Sequence, residues 1–370
     1  MGIAYYLTLF FVLVILLLQN LNYRVNKLMI LLVLSCLLSI VFNEIPTFFK
    51  PYERFAAFII VMGLVGPLIR SSALQQFRFY LLKLITVLTV AMVTISFFGI
   101  TAGLPIMIGR GGFVGLFNHS MMLGPMAAIS LLACVHWANT ADKKKNRFIF
   151  LSIGAISFVI CVAAGSRSAL LAGLVGGLFY YYKVYMGKLA RYVRVILLLT
   201  SIGIMSLPLW EGYTQRIMGK MAYAEKQGDV LVTRDELWSA RISEFKKSPV
   251  YGIGFASVDT SLTPKFDKSG GQIEPGSSWL ALLSMIGLLG FLLLAFLIFR
   301  YTKFLYRDKL MHKDSAFLGA MLFFFIIHMA AEGYVLSAGS GMFLIFWLLL
   351  GNIEFYSKKL TSKIAVVQWT

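Results

Sequence analysis

The stretch 277-SSWLALLSMIGLLGFLLLAFLIF-299 decides the fold class of this chain. It contains no charged residue, and it is long enough to cross the hydrocarbon core of a bilayer as a helix, which takes about 20 apolar residues. Ten further apolar runs accompany it in a chain of 370 residues that is 59% hydrophobic. The predicted spans are 3–18, 28–42, 54–69, 79–99, 114–135, 148–163, 169–186, 194–209, 277–299, 316–331 and 340–356. The pattern predicts an all-α, polytopic transmembrane helical bundle of about eleven spans.

The distribution of charge predicts the orientation of this bundle. The chain carries 34 Lys and Arg against 16 Asp and Glu, for a net charge of +18. Most of the basic residues lie in short loops on one side, which the positive-inside rule makes cytoplasmic. The N-terminus and the long segment 210–276 then lie outside, and the C-terminus inside. Orientation and attraction to anionic membrane lipid account for the charge, so no nucleic acid partner is predicted.

The remaining composition limits the chemistry. Three cysteines lie within apolar runs without CxxC spacing, so we predict buried thiols at Cys36, Cys134 and Cys161. No Walker loop, HExxH, GxSxG or DxD motif is present, and we predict neither a metal site nor a cofactor. The first run, 3–18, has no basic region before it and no small-residue cleavage site, which predicts a retained helix. Without internal repeats or linkers, residues 1–370 are predicted to form one membrane domain, with 210–276 as a large, partly helical extracytoplasmic loop subdomain.

The loop subdomain contains a helix with an unusual face. Thr233 to Glu236 form a capping box, which predicts a helix that starts there and ends at Pro249. At 100° per residue, Arg234 and Arg241 fall on the apolar stripe. The other members of this stripe are Leu237, Trp238, Ile242 and Phe245. Guanidinium groups bind phosphate in a bidentate fashion, so this face indicates an anion site. The alternative is a helix that rests on the membrane surface.

Three further polar residues on the outer side allow two interpretations each. Arg110 lies among glycines, where it either contacts a phosphate or lies among lipid headgroups. His119 is either a catalytic residue or a hydrogen-bonded packing residue. Arg167 forms part of the hinge 164–169 between two apolar runs, and either reaches the outer headgroups or binds an anion inside the protein.

The start of the span 277–299 adds a possible reaction site. Ser277 or Ser278 is positioned to cap this helix, whose amide groups would then face an anion. Glu274 either accepts a proton from a sugar hydroxyl or pairs with an arginine. Glu332, at the end of the tenth span, is a candidate ion-pair partner for an arginine within the membrane.

Taken in order, these motifs resemble the O-antigen polymerase and ligase superfamily of bacterial envelope polysaccharide assembly, over about residues 80–355. The matching segments are Gly115–Ser120 with Leu123-Gly124, Gly165–Ala169, Arg234–Trp238 to Ser248-Pro249, Gly252-x-Gly254, Ser277–Leu280, Met285–Gly290 and Ala331–Tyr334. The order and the spacing of the segments carry this resemblance.

The resemblance implies a metal-independent glycosyltransferase of the bacterial inner membrane that acts at its outer face. The implied substrate is an undecaprenyl-pyrophosphate-linked oligosaccharide. Chain-length regulator and flippase proteins are implied as further partners. Arg167 and Arg234 would hold the pyrophosphate, with Arg241 and Arg110 as further candidates, and the base would be Glu274 or His119. Ser277, Ser278, Trp238 and Glu332 would form the helix mouth on the acceptor side.

Two departures from the family pattern refine these expectations. The ligase branch usually has a histidine just before the serine-like residues that open the next span, and this position is Gly276 here. Family members also often have twelve spans. The glycine favours polymerisation of lipid-linked repeat units into O-antigen, capsule or exopolysaccharide. The alternatives are a ligase that moves the glycan to lipid A core or protein, and a polysaccharide transporter or flippase without chemistry.

Overall fold

The structure, a computed structural model, describes residues 3–43, 45, 50–104, 107–109, 112–194, 197, 232–262, 276–307 and 312–359. Helices dominate these residues. They are α1 (Ile3–Leu18), α2 (Lys27–Val41), α3 (Pro51–Leu64), α4 (Ser72–Thr101), α5 (Ser120–Thr140), α6 (Lys144–Ala163), α7 (Arg167–Val184), α8 (Val232–Lys247), α9 (Ser278–Arg307), α10 (His312–Ala331) and α11 (Gly341–Lys359). The all-α fold class is confirmed.

The strands in the described part of the chain are short. Strand β1 (Arg24–Val25) pairs antiparallel with β2 (Ile69–Arg70). Strand β3 (Ile108–Gly109) pairs antiparallel with β4 (Gly112–Phe113). Each ladder is only two residues long, so the strands serve as local connections between helices.

Five of the described helices are long and apolar enough to cross a membrane: α4, α5, α6, α9 and α10. Shorter apolar helices occupy 4–18, 27–41 and 341–357. These lengths support a polytopic membrane protein, while the total of eleven spans stays a prediction. The predicted span 194–209 lies mostly outside the described residues.

Helix boundaries differ from the predicted spans where local chemistry sets them. Helix α3 starts at Pro51, whose fixed φ suits the first turn, and it ends before Gly66-Pro67. The predicted span 54–69 was therefore placed about three residues too late at its start. Helix α4 starts at Ser72, seven residues before the predicted 79, because the Ser71 hydroxyl accepts a hydrogen bond from the amide of Leu74 at 3.2 Å.

The chain forms two compact units. The first comprises residues 1–82, 231–304 and 329–366. Its core contains an aromatic cluster in which the Phe58 ring lies 5.3 Å from that of Phe255, 6.2 Å from that of Phe343 and 5.9 Å from that of Trp347. The hydroxyl of Ser39 accepts a hydrogen bond from the Phe255 amide at 2.9 Å, which attaches the chain after α8 to α2.

The second unit comprises residues 83–230, 305–328 and 367–370. Small residues let its helices approach closely. A Cβ atom added at Gly173 would lie 3.2 Å from the Cβ of Ala128, and one at Gly176 would lie 2.7 Å from the Ala320 carbonyl oxygen. The hydroxyls of Ser130 and Ser157 meet at 2.8 Å between α5 and α6.

The three cysteines are free and buried, as predicted. In the second unit, the Cys161 thiol donates to the carbonyl oxygen of Gly124 at 3.5 Å. Each thiol lies in the interior of its unit, so these residues act as small packing groups.

Candidate functional site

Helix α8 forms as the capping pattern predicts, with a different buried face. It runs from Val232 to Lys247, so it starts one residue before the predicted cap and ends before Pro249. Ala240, Arg241 and Glu244 are buried, whereas Ile242 is 42% exposed. The prediction that Arg241 lies on the buried face was thus correct, and the same prediction for Ile242 was wrong. The buried face is centred on Glu244, which the predicted stripe did not include.

The centre of this face is a buried ion pair. Arg241 Nη1 lies 2.8 Å from Glu244 Oε2, with side chains that are 1% and 0% exposed. The Glu244 carboxylate also accepts from the Asp259 amide at 2.8 Å and from the Ser284 hydroxyl at 2.5 Å. One carboxylate therefore joins α8, α9 and the turn at Asp259.

Burial shifts both groups of the pair towards their neutral forms. Burial raises the pKa of Glu244, and the Arg241 charge and the bonds from Ser284 and Asp259 oppose this shift. Burial likewise lowers the pKa of Arg241 from its ordinary value, against the attraction of Glu244 and Asp259. Within the described structure, Nε of Arg241 has no hydrogen-bond partner. Desolvation is thus the cost that the ion pair has to offset.

A second ion pair closes the end of α8. Lys247 Nζ lies 2.5 Å from Asp259 Oδ2. Asp259 Oδ1 accepts from the amide and the hydroxyl of Ser261, at 3.0 and 2.6 Å. Burial alone would raise the pKa of Asp259, but the bonds from Lys247 and Ser261 hold it below its ordinary value. The carboxylate stays ionised and fixes the turn against the helix end.

The glycine motifs explain how α8 attaches to α9. Helix α9 is broken at Gly287, which has φ 66° and ψ −172°. The turn after α8 fits into this break: the amide of Ile253 donates to Ser284 O at 2.8 Å, and the amide of Leu288 to Pro249 O at 2.8 Å. A Cβ at Gly252 would lie 2.4 Å from the Met285 carbonyl carbon, and one at Gly287 2.2 Å from Val250 O. Both positions require glycine because backbone contacts backbone there.

The predicted helix mouth is an ordered cluster at the start of α9. Ser278 Oγ donates to the Glu332 carbonyl oxygen at 2.7 Å and accepts from the Tyr334 amide at 3.0 Å. Ser277 Oγ donates to Met329 O at 3.2 Å. Both serines are buried, so their hydroxyls hold the segment after α10 against α9. A direct contact with an acceptor sugar stays a prediction.

Gly276 joins this cluster to α8. Its carbonyl oxygen accepts from Trp238 Nε1 at 3.2 Å. Its φ is +69°, and an added Cβ would lie 3.0 Å from the Cβ of Leu237 and 3.3 Å from Cδ1 of Trp238. The structure therefore brings Trp238, Ser277, Ser278 and Glu332 together. A larger residue at position 276 would crowd Leu237 and Trp238, which explains the glycine there.

Two predicted residues belong to the second unit. His119 is exposed and precedes α5 with an extended backbone, φ −161° and ψ 161°, and it makes no side-chain capping bond. Arg167 is the first residue of α7 and half-buried, after Ser166, whose hydroxyl accepts from the Ala169 amide at 3.4 Å. In the part of the chain that the structure describes, the Arg167 side chain has no ion-pair partner. The binding of an anion by Arg167 stays a prediction.

The structure describes three of the predicted site residues only in part or not at all. Arg110 and Glu274 lie outside the described residues. Arg234 lies in the first part of α8, and only its backbone position is described. Their roles stay predictions.

Sequence reasoning missed Glu244 and its partners, although a signal was present. Leu237, Ala240, Arg241 and Glu244 follow the i, i+3, i+4, i+7 spacing of a packed helix face. This spacing could have placed the glutamate beside Arg241. Ser284 and Asp259 could not be found in this way, because they approach α8 only in the folded chain.

Comparison with known families agrees with this architecture. A family model described as O-antigen ligase matches residues 149–295. The match extends from α6 through the Arg167 hinge and α8 into α9, so it contains the buried ion pair and the backbone contacts at Gly252 and Gly287. No curated protein matches the chain.

The fold and this match define the class: a polytopic helical membrane protein whose residues 149–295 are similar to the O-antigen ligase family. They confirm the resemblance to the O-antigen polymerase and ligase superfamily. Members of this family are membrane glycosyltransferase-like enzymes, ligases and polymerases, which connects the chain with polysaccharide biosynthesis.

Proposed function

We propose that this chain polymerises undecaprenyl-pyrophosphate-linked oligosaccharide repeat units into O-antigen, capsule or exopolysaccharide. The reaction takes place at the outer face of the bacterial inner membrane. The observation that carries this proposal is the O-antigen ligase family match over 149–295, because it covers both Arg167 and the arginine-bearing helix α8. The 210–276 loop lies on the outer side in this proposal, and the C-terminus in the cytoplasm.

The proposed reaction is a glycosyl transfer between two lipid-linked glycans. A hydroxyl at the non-reducing end of the acceptor attacks the anomeric carbon of the donor glycan. The C1–O bond to the donor pyrophosphate breaks, and undecaprenyl pyrophosphate leaves with the bonding electron pair. The acceptor proton passes to a base, for which Glu274 and His119 are the candidates.

The arginines act on the leaving group. Negative charge develops on the pyrophosphate as the C1–O bond breaks, and fixed guanidinium groups stabilise this charge. We assign this role first to Arg167 and Arg234. Arg241 is buried against Glu244, so we assign it primarily to the attachment of α8, with pyrophosphate contact as the alternative.

Gly276 favours polymerase over ligase. The ligase branch of the superfamily usually carries a histidine at the equivalent place. Here, φ +69° and the close approach of Leu237 and Trp238 suit a glycine. A ligase is the second candidate, since the matching family model is described as O-antigen ligase.

The arginine assignment is tested in cells that depend on this chain for polymer. Arg167→Ala and Arg234→Ala, expressed at the wild-type level, should each abolish the ladder of long polymer on a gel. Lys246→Ala is the matched control, because Lys246 is an exposed basic residue on the same helix as Arg234. Full-length ladders from both arginine variants would refute the assignment.

A ligase and a polymerase differ in the acceptor that receives the glycan, and therefore in the lipid-linked glycan that accumulates when the protein is lost. A ligase would transfer preformed polymer to lipid A core or protein, and its loss would leave polymer on the lipid carrier. Loss of a polymerase leaves single repeat units instead. The size of the lipid-linked glycan that accumulates therefore separates the two functions.

A further inference from the structure

In the first unit, two arginines pair with the buried carboxylate of Glu354. Glu354 on α11 is 1% exposed and pairs with Arg70 of strand β2 and with Arg300 of α9, at 2.6 Å from Nη2 of Arg300. Arg78 on α4 is also buried, and it donates to the carbonyl oxygens of Leu64 and Gly63 at 2.8 and 2.7 Å. One carboxylate thus fixes two guanidinium groups, while the third is held by the end of α3.

The arginines around Glu354 carry excess positive charge. Glu354 supplies one negative charge, which Arg70 and Arg300 share through ion pairs and which also attracts Arg78. Nε of Arg70 is buried and, among the described residues, has no hydrogen-bond partner. The side chain of Arg300 remains 38% exposed. Arg300 therefore keeps an exposed guanidinium surface, and Arg70 keeps a donor without a described partner.

A separate observation at the β1–β2 ladder points to an anion. Arg24 is the direct partner of Arg70 in the register of this antiparallel pair. Like charges directly opposite each other destabilise a strand pair. Arg24 is exposed, and no ion pair or hydrogen bond of its side chain occurs in the described structure. A ladder of only two residues gains little from its own hydrogen bonds, and an anion that bridges Arg24 and Arg70 would offset the repulsion between them.

The place of the cluster in the chain suits a membrane phosphate. Strand β2 connects α3 to α4, and Arg300 and Glu354 lie towards the C-terminal ends of α9 and α11. These segments belong to the side that the charge distribution predicts to be cytoplasmic. Basic pockets between membrane helices on this side bind anionic lipid headgroups. Guanidinium groups match the oxygens of a phosphate geometrically.

We propose that Arg24 and Arg70, with Arg300 on the other side of Glu354, form a phosphate-binding site for an anionic lipid headgroup or a free phosphate. Glu354 orients Arg70 and Arg300, and the phosphate bridges Arg24 and Arg70. This site is independent of the glycosyl-transfer site and of the function proposed for it.

The test measures binding by the purified full-length protein in detergent, by native mass spectrometry. The probes are short-chain phosphatidylglycerol, short-chain phosphatidylcholine and inorganic phosphate. Phosphatidylglycerol should bind more tightly than phosphatidylcholine, and Arg24→Gln should weaken it about fivefold, the effect of one basic residue near an anionic surface. Lys303→Gln is the control, because Lys303 is an exposed basic residue on α9, and the described ion pairs of Glu354 are with Arg70 and Arg300.

Reversing the charge of Arg24 distinguishes a loss of binding from a loss of folding. Arg24→Glu places a carboxylate opposite Arg70, so phosphatidylglycerol binding should be lost while the Tm in lipid-free detergent stays equal or rises. Binding of inorganic phosphate alone, with the same dependence on Arg24, would assign the site to free phosphate. Equal binding of phosphatidylglycerol by wild type and Arg24→Gln, or equal losses in Arg24→Gln and Lys303→Gln, would overturn the proposal.

Discussion

At the residue scale, Gly276 gives a direct prediction. Substitution by histidine should destabilise the protein for two reasons, a left-handed backbone that costs about 1–2 kcal/mol and a Cβ placed 3.0 Å from Leu237 Cβ. Gly103 shares the backbone conformation, with φ +62°, but has no atom within 4 Å of an added Cβ. Gly276→His should therefore lower the Tm in detergent more than Gly103→His does. Equal shifts would show that packing against α8 contributes nothing.

Single residues also show where sequence reasoning fails. Arg78 lies between the predicted spans 54–69 and 79–99, yet it is 2% exposed and donates to the last carbonyls of α3. Glu244 has the spacing of a packed face but looks like a solvated charge in the sequence. Both side chains have partners from other segments: the end of α3 for Arg78, and Ser284 and the Asp259 amide for Glu244. Such partners have no local signal in the sequence.

At the scale of elements, the buried pair on α8 predicts a large effect on stability. Glu244→Gln removes the direct ion-pair partner of the buried Arg241 and leaves only the more distant attraction of Asp259, which costs about 3–5 kcal/mol. Glu53→Gln is the matched control, because Glu53 pairs with Lys50 at the same i, i+3 spacing, with side chains that are 60% and 77% exposed. Its loss should cost at most about 1 kcal/mol.

The measurement is thermal unfolding of both variants in the same detergent. If Glu244→Gln unfolds at the same temperature as Glu53→Gln, the pair does not hold α8 on α9. The double variant Arg241→Gln/Glu244→Gln should recover part of the loss, because it removes the uncompensated buried charge.

The helices themselves were predictable because their signals are local. A run of about 20 apolar residues is sufficient to predict a membrane helix. A capping box followed by a proline is sufficient to predict the ends of α8 to within two residues. The kink at Gly287 was not predictable, since it depends on the turn at 249–254 entering a break in α9. The sequence indicated which residues belong to the candidate site, but it did not indicate the contacts between them.

At the scale of the whole molecule, the charge distribution predicts the sides of the membrane. Asn118 and Asp142 are exposed and flank α5, whose 21 residues span about 31 Å. In intact spheroplasts, a membrane-impermeant maleimide should label Asn118→Cys and leave Asp142→Cys unlabelled. Native Cys36, Cys134 and Cys161 are at most 2% exposed, so the parent protein serves as the unlabelled control. The opposite labelling pattern would invert the proposed orientation and place loop 210–276 in the cytoplasm.

The central claim is that this chain joins lipid-linked repeat units. The most direct test incubates the purified protein with one synthetic undecaprenyl-pyrophosphate-linked repeat unit and measures the size of the products. We predict a series of products that increase by one repeat unit at a time, with release of undecaprenyl pyrophosphate, and no such series from the Arg167→Ala/Arg234→Ala double variant. If the active preparation forms nothing longer than the input, the chain is not a polymerase.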